Sequence, residues 1–292
     1  MRVVLLGPDG QLGRDIRAAH ARTGADIELI CLNRAALDVT DSAAIETKLG
    51  DRDFDALINC TSYHLTDRVE DDATGGFAVN AHAVEALAAV CAARKARLIH
   101  VSTDYVFGGD AARATPLPED APTAPVNVYG ASKAMGETLA RLACPDTVIL
   151  RVASLFGVAG ASGKGGNFVE TMIRLGRERG ALRVVEDQRM SPTATADVAA
   201  ALMRLLQGGC AAGIYHAVNS GAASWHEFAV EILRQAAIAT EVTPCTSAEY
   251  PTRARRPRYS VLDNARLSAE IGPMPPWQEA LARYLQAREA RA

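Results

Sequence analysis

A chain of 292 residues with 49% hydrophobic and 22% charged residues can bury a sizeable core, which excludes a disordered or fibrous protein. Its formal charge of −3 leaves no broad positive field for nucleic acid or an anionic membrane surface, and no apolar run reaches the ~18 residues of a membrane span. Six cysteines at 31, 60, 91, 144, 210 and 245 lack CxxC or zinc spacing, and the short apolar start is no signal peptide, so a reducing cytoplasm and no metal are expected.

The first apolar run, 2–6, leads straight into Gly7-Pro8-Asp9-Gly10-Gln11-Leu12-Gly13, and a helix is expected from 11 to 22. A pyrophosphate needs backbone N–H groups at a helix N-terminus with no Cβ in the way, and the positive end of the helix favours the anion. Gly7, Gly10, Gln11, Leu12 and Gly13 are therefore candidate cofactor contacts. A second strand is expected over 27–32. An acidic residue at its end would grip the adenosine ribose of NAD; here Leu32-Asn33-Arg34 follows. Arg34 either pairs the 2′-phosphate of NADP(H) or is a solvated loop charge, and the missing carboxylate leans toward NADPH over NADH. Asp38 and Val39 come next toward the adenine end.

Further strands are expected over 56–60, 98–102 and 147–152, separated by alanine-rich segments of helical period such as 80–94. Buried strands alternating with helices argue for an α/β fold with a Rossmann-type, doubly wound parallel sheet. Thr61, Ser62 and Tyr63 leave the third strand beneath the cofactor ribose, and Asn80 is counted with them. Ser102-Thr103-Asp104 ends the fourth strand at the edge where such sheets bind ligands, so the Thr103 hydroxyl can donate to a substrate carbonyl. Four prolines between 111 and 126 mark a loop. Tyr129 and Lys133 then stand four apart near a helix start, on one face. A neighbouring ammonium lowers a phenol's pKa, letting Tyr129 protonate an alkoxide formed by hydride transfer while Lys133 holds the nicotinamide ribose.

After 152 the rhythm changes. A glycine-rich loop at 157–166 precedes helical 168–179, extended 182–185, helical 194–206, a strand at 215–219 and a helix at 225–237. The expected organisation is 1–152 as the NAD(P)-binding domain, with strands returning from the second half, and 153–292 mainly as a smaller substrate-binding lobe.

These motifs resemble extended short-chain dehydrogenases, and within them the dTDP-4-dehydrorhamnose reductases. The resemblance rests on the glycine loop with Gln11, on Ser-Thr-Asp-Tyr-Val-Phe-Gly-Gly at 102–109, and on Asn127-Val128-Tyr129-Gly130 with Lys133. It continues through Gly166-Asn167-Phe168-Val169, Asp187-Gln188, Ser191-Pro192-Thr193 and Gly213-Ile214-Tyr215-His216. The tail matches at Ala254, Arg256-Pro257 and Tyr259-Ser260-Val261-Leu262-Asp263. It implies hydride delivery to C4 of a dTDP-bound 4-keto-6-deoxyhexose, completing dTDP-L-rhamnose. Carried over, Thr103, Tyr129 and Lys133 form the catalytic set. Gly10, Gln11, Leu12, Asp38, Val39, Thr61, Ser62 and Tyr63 line the cofactor, and Thr103 and Asp104 touch the sugar. Mg2+ enters through the resemblance alone, since some relatives dimerise through it; monomer and homodimer both stay open.

Two departures bear on the substrate. Ser154 stands where the family carries a tryptophan against the sugar, and His64 replaces the usual threonine in Tyr63-His64-Leu65-Thr66-Asp67. His64 reads as a substrate contact or, slightly favoured, a neutral histidine bonded in its loop. In the basic segment 253–258, Arg256 is the candidate for the diphosphate. Asn167 either caps a helix or meets substrate, and the two are compatible. A non-catalytic NADP-binding regulatory subunit, or a reductase of a carbonyl without a nucleotide, are the alternatives.

Overall fold

A computed structural model describes residues 1–23, 26–160 and 166–290. The chain alternates β1 (Arg2–Leu6), α1 (Gln11–Thr23), β2 (Glu28–Leu32), α2 (Ser42–Leu49) and β3 (Ala56–Asn59). Two short helices follow, α3 (Thr66–Asp71) and α4 (Ala73–Phe77), then a π-helical turn at Ala78–His82, α5 (Ala83–Arg94) and β4 (Arg97–Thr103). Next come α6 (Val128–Ala143), β5 (Thr147–Val152), β6 (Leu155–Phe156), α7 (Phe168–Glu178), β7 (Ala181–Val185), β8 (Arg189–Met190) and β9 (Thr193–Ala194). The chain closes with α8 (Thr195–Gly208), β10 (Gly213–His216), β11 (Ala223–Ser224), α9 (Trp225–Gln235), β12 (Glu241–Cys245), α10 (Ala265–Ile271) and α11 (Trp277–Glu289).

Six strands form one parallel sheet in the order β10-β5-β4-β3-β1-β2. All its strands can be apolar on both sides because helices cover both faces. On one face α1 and α8 bury Ile16, Val198 and Leu202 against Leu5, Ile58 and Ile99. On the other, α2 and α5 bury Ile45, Leu87 and Cys91 against Val4, Leu57 and Leu98. The register sets Asn59 beside His100 and Ser102 beside Arg151, so polar residues gather at the carboxyl edge. A third cluster, with Phe156, Phe228, Trp277 and Tyr284, lies beneath the second half of the chain. β10 and α8 belong to the second half in sequence but to the sheet layer in space.

Several boundaries differ from the sequence reading. β3 stops at Asn59 because its side chain accepts from Thr61 N and Oγ1 at 3.0 and 2.6 Å and turns the chain. The strand expected at 215–219 runs instead from Gly213 to His216. The helix at 80–94 starts within a longer helical stretch, Ala73–Arg94, which by length and composition is apolar enough to cross a bilayer. Here half of its most apolar window is buried inside the protein, against the sheet. The expected loop at 157–166 lies partly outside the described residues. All six cysteines are free.

Candidate active site

The glycine loop is built from both ends. Gly7 sits at φ +74, a conformation side chains rarely adopt, and a Cβ on Gly13 would overlap the Gly7 carbonyl oxygen. Gly10 differs, for a Cβ there would meet only that same oxygen, at 3.5 Å. Protein packing thus does not demand a glycine at 10; its free side faces a cavity of about 540 Å³. Gly7, Gly10, Gln11, Leu12 and Gly13 all border it, at the N-terminus of α1. This cradle fits a dinucleotide pyrophosphate.

The same cavity is bordered at its middle by Ser62, His64, Thr103, Asp104, Tyr129, Lys133 and Ser154, and beyond them by Asn167, Phe168 and Trp225. Asn127 caps α6 by accepting from Gly130 N at 2.7 Å and donates to the Arg255 carbonyl at 2.8 Å, fixing the helix start and the tail together. Tyr129 meets Tyr105 edge-on at 5.8 Å. Burial pushes its phenol up to about 12, against the opposing pull of the Thr103 and Ser62 hydroxyls. The sequence reading expects a phenol lowered by the ammonium together with the positive nicotinamide of the oxidised cofactor; Lys133 by itself does not lower it. Lys133 Nζ is engaged elsewhere, 3.0 Å from His100 Nε2 and donating to the Val101 carbonyl at 2.7 Å. Its own pKa is brought down to about 8 by burial, with Glu137 and Cys60 opposing.

Thr103 Oγ1 donates to Asp104 at 3.2 Å and accepts from Tyr105 N. Burial raises Asp104 to about 6 despite hydrogen bonds from Ser260 and Thr103. Beneath the site lies a buried ion pair that the sequence reading missed. Glu137 takes Arg151 at 2.7 Å and accepts from Ser102 at 2.5 Å, while Arg151 also contacts His216 Nε2 at 3.3 Å. A charged residue inside the apolar run Thr147–Val152 was the available signal.

The other candidates are placed differently. Ser154 borders the cavity at φ +43, and His64, also bordering it, lies 3.3 Å from the Ser62 carbonyl. Asn167 both caps α7 and reaches the cavity, bonding the Gly157 carbonyl at 3.0 Å and Gln11 at 3.4 Å. Thr61, Tyr63 and Asn80 do not border the cavity, and Asn80 is fully buried. Asn80 accepts from Tyr63 N at 2.9 Å and Ser62 Oγ at 3.1 Å, so it holds the loop from behind, and the π-turn presents it there. Val39 packs its side chain into the core. Arg34 is exposed, 3.5 Å from Asp38, whose carboxylate also accepts from Thr40 N and Oγ1. Arg256 is held by Asp67 at 2.7 Å, its guanidinium over Tyr105, with buried Nη1 lacking a partner. The aromatic end, Phe168, Trp225 and Phe228, was also missed, since aromatics at helical spacing read as core. Among the described residues no cluster of three or more His, Cys, Asp or Glu could hold a metal.

A parallel doubly wound sheet, a glycine cradle at its first turn and a Thr/Tyr/Lys set at its carboxyl edge define a Rossmann-type protein of the extended short-chain dehydrogenase class. The family model described as "RmlD substrate binding domain" matches residues 1–290. A dTDP-4-dehydrorhamnose reductase of Mycolicibacterium smegmatis is 40% identical over 283 residues, covering 96% of this chain and 84% of that one. The crystal structure of a dTDP-4-dehydrorhamnose reductase from Clostridium acetobutylicum superposes with a TM-score of 0.91 at 34% identity, covering 99% and 100% of the two chains. One from Bacillus anthracis, in complex with NADP, gives 0.89 at 33% identity, covering 98% and 99%. The chain belongs to the dTDP-4-dehydrorhamnose reductase family.

Proposed function

We infer that the protein reduces the 4-keto group of a nucleotide sugar with NADPH, taking dTDP-4-dehydro-6-deoxy-L-mannose to dTDP-L-rhamnose, or acting on a close analogue. The observation that carries this reading is one cavity bordered by the glycine cradle, Thr103, Tyr129, Lys133 and an aromatic far end. A reduced nicotinamide supplies the hydride when bound. Gly10, Gln11 and the α1 N-terminus hold the pyrophosphate, and Arg34 is the residue placed to read a 2′-phosphate.

Thr103 orients the carbonyl by hydrogen bonding to its oxygen. Tyr129 keeps its proton in the buried site and gives it from Oη to that oxygen as negative charge develops. Asp104 and Asn167 meet sugar hydroxyls. Arg256, with one buried N–H group unsatisfied, takes an oxygen of the diphosphate side. The partner this scheme needs is a small-molecule nucleotide sugar, with monomer and homodimer both open and no part given to nucleic acid or membrane.

Following NADPH absorbance with dTDP-4-dehydrorhamnose and a panel of other 4-keto nucleotide sugars tests the reading. Oxidation of NADPH with one of them is expected. Cofactor binding without turnover on any of them would overturn it in favour of a regulatory NADP-binding subunit.

A further inference from the structure

His100 lies fully inside β4, beyond reach of the cavity, yet its ring touches two groups that matter to the site. Nε2 is 3.0 Å from Lys133 Nζ, and Nδ1 is 3.2 Å from the Asn59 side-chain amide. Burial and the neighbouring Lys133 hold its pKa well below the ordinary histidine range, so the ring is neutral and carries one proton. Which nitrogen carries it follows from hydrogen-bond accounting.

A backbone N–H can only donate. Thr61 N donates to the Asn59 side chain at 3.0 Å, and Thr61 Oγ1 lies 2.6 Å from the same atom. That atom is therefore the amide oxygen, and the Asn59 NH2 group is the one facing His100. Nδ1 must accept from it, which puts the ring proton on Nε2. Nε2–H then points at Lys133 Nζ, and only a neutral amine has the lone pair to receive it. The amine's own N–H completes the chain to the Val101 carbonyl at 2.7 Å.

An ammonium would break this arrangement. Four N–H bonds leave Nζ no lone pair, so Nε2–H and Nζ–H would oppose each other. Moving the ring proton to Nδ1 would set it against the Asn59 NH2, and turning that amide would strand the Thr61 N–H. The other ionisable groups around Nζ do not compensate. Glu137 is already paired with Arg151, Cys60 is a neutral thiol pushed up to about 12, and Tyr129 is a neutral phenol.

We propose that His100, fixed in its Nε2–H tautomer by Asn59, is a positioning residue that favours the neutral amine of Lys133 over its ammonium until a group accepting from Nζ enters the site. That group then favours the ammonium, and the fraction of Lys133 still neutral takes up a proton from water. The relevance of this to catalysis rests on the reductase reading above, where Lys133 binds the nicotinamide ribose; the network itself does not.

The test is NMR on protein labelled with 15N-histidine and 13C,15N-lysine, without substrate. His100 should show the Nε2–H tautomer, its signal assigned by loss in His100→Gln, and Lys133 should titrate near 8. His100→Gln offers an amide oxygen to Nζ and should raise the Lys133 midpoint by about one unit or more. Asn59→Asp, which needs no change at His100, should move the ring proton to Nδ1. In turnover, the alkaline limb of the kcat/KM profile for NADPH should shift with the Lys133 midpoint in His100→Gln. An Nδ1–H tautomer in the wild type, or an unmoved Lys133 midpoint in folded His100→Gln, overturns the proposal. Since the titrations need no substrate, the proposal can fail while the reductase reading stands, and the reverse.

Discussion

Ser260 Oγ donates to Asp104 Oδ2 across 2.5 Å, joining the tail of the chain to the residue that follows Thr103. The bond stabilises the carboxylate, but burial outweighs it and Asp104 sits near 6. A raised carboxyl pKa means the folded state keeps a proton that the unfolded chain has lost between about 4 and 6. Its contribution to stability is therefore present at low pH and lost as pH rises through 6. Asp104→Asn keeps an acceptor for Ser260 and removes the titration. Denaturant midpoints measured at pH 4 and pH 7 should show the variant gaining on the wild type by up to about 3 kcal/mol as pH rises. A constant difference across that range would mean that Asp104 ionises as an ordinary carboxyl.

The pair Glu137–Arg151 predicts the opposite kind of result. Both side chains are almost fully buried, at 5% and 2% exposure, and Glu137 also supports Ser102. Arg151→Met leaves an uncompensated charge inside the protein and should destabilise it by about 3–5 kcal/mol. Replacing both, with Glu137→Leu added, should recover a large part of that loss. Equal instability of the single and double variants in urea would show that packing of the arginine, not its charge, is what matters.

The architecture was legible because strand edges, glycines and helix caps are local signals. Arg2–Leu6 and Thr147–Val152 fall where their apolar runs begin and end, and Tyr129 and Lys133 share a face because four residues make about one helical turn. What escaped depends on pairing across the sheet. Nothing adjacent in sequence ties Asn59 to His100, or Glu137 to Arg151; the register between strands and the packing of α6 bring them together. Val39 and Asn80 were expected against the cofactor, whereas Val39 packs in the core and Asn80 braces Tyr63 from behind. Sequence spacing places a residue near a site without saying which way it faces.

Tyr129→Phe should leave cofactor binding intact and reduce kcat by roughly a hundred- to ten-thousand-fold, the range of a general acid. The ring's contact with Tyr105 is preserved, so folding should be unaffected. Turnover within twofold of wild type would assign the proton to another group, and Thr103, beside the phenol, would be the first to examine.

Arg34 is exposed and pairs with Asp38 at 3.5 Å, a surface pair that contributes little and leaves the guanidinium free to reorient. Preference for NADPH over NADH, read as the ratio of kcat/KM values, should fall about tenfold or more in Arg34→Ala, in keeping with loss of a charge-assisted contact. Stability should not change. An unaltered ratio would show that the 2′-phosphate is read elsewhere.

Ser154 governs the last prediction, because it borders the cavity at the position for which the family resemblance implies an indole. Its backbone lies at φ +43, a conformation bulky side chains rarely adopt, so a tryptophan there brings backbone strain as well as the steric demand of its side chain. The cavity has aromatic surface at its far end, in Phe168 and Trp225, but the hydroxymethyl of Ser154 gives the sugar little to pack against at the middle. Ser154→Trp should narrow the pocket there and raise kcat/KM for dTDP-4-dehydrorhamnose by roughly ten- to two-hundred-fold, the reach of an apolar contact worth about 1–3 kcal/mol. The gain should appear mainly as a lower KM, since packing against the sugar persists from ground state to transition state. A control such as Leu142→Trp, on the exposed face of α6, should leave kinetics unchanged. Equal or lower kcat/KM in a folded Ser154→Trp protein would show that the space is already filled by the His64 side of the cavity, and His64→Thr in that background should then recover the gain.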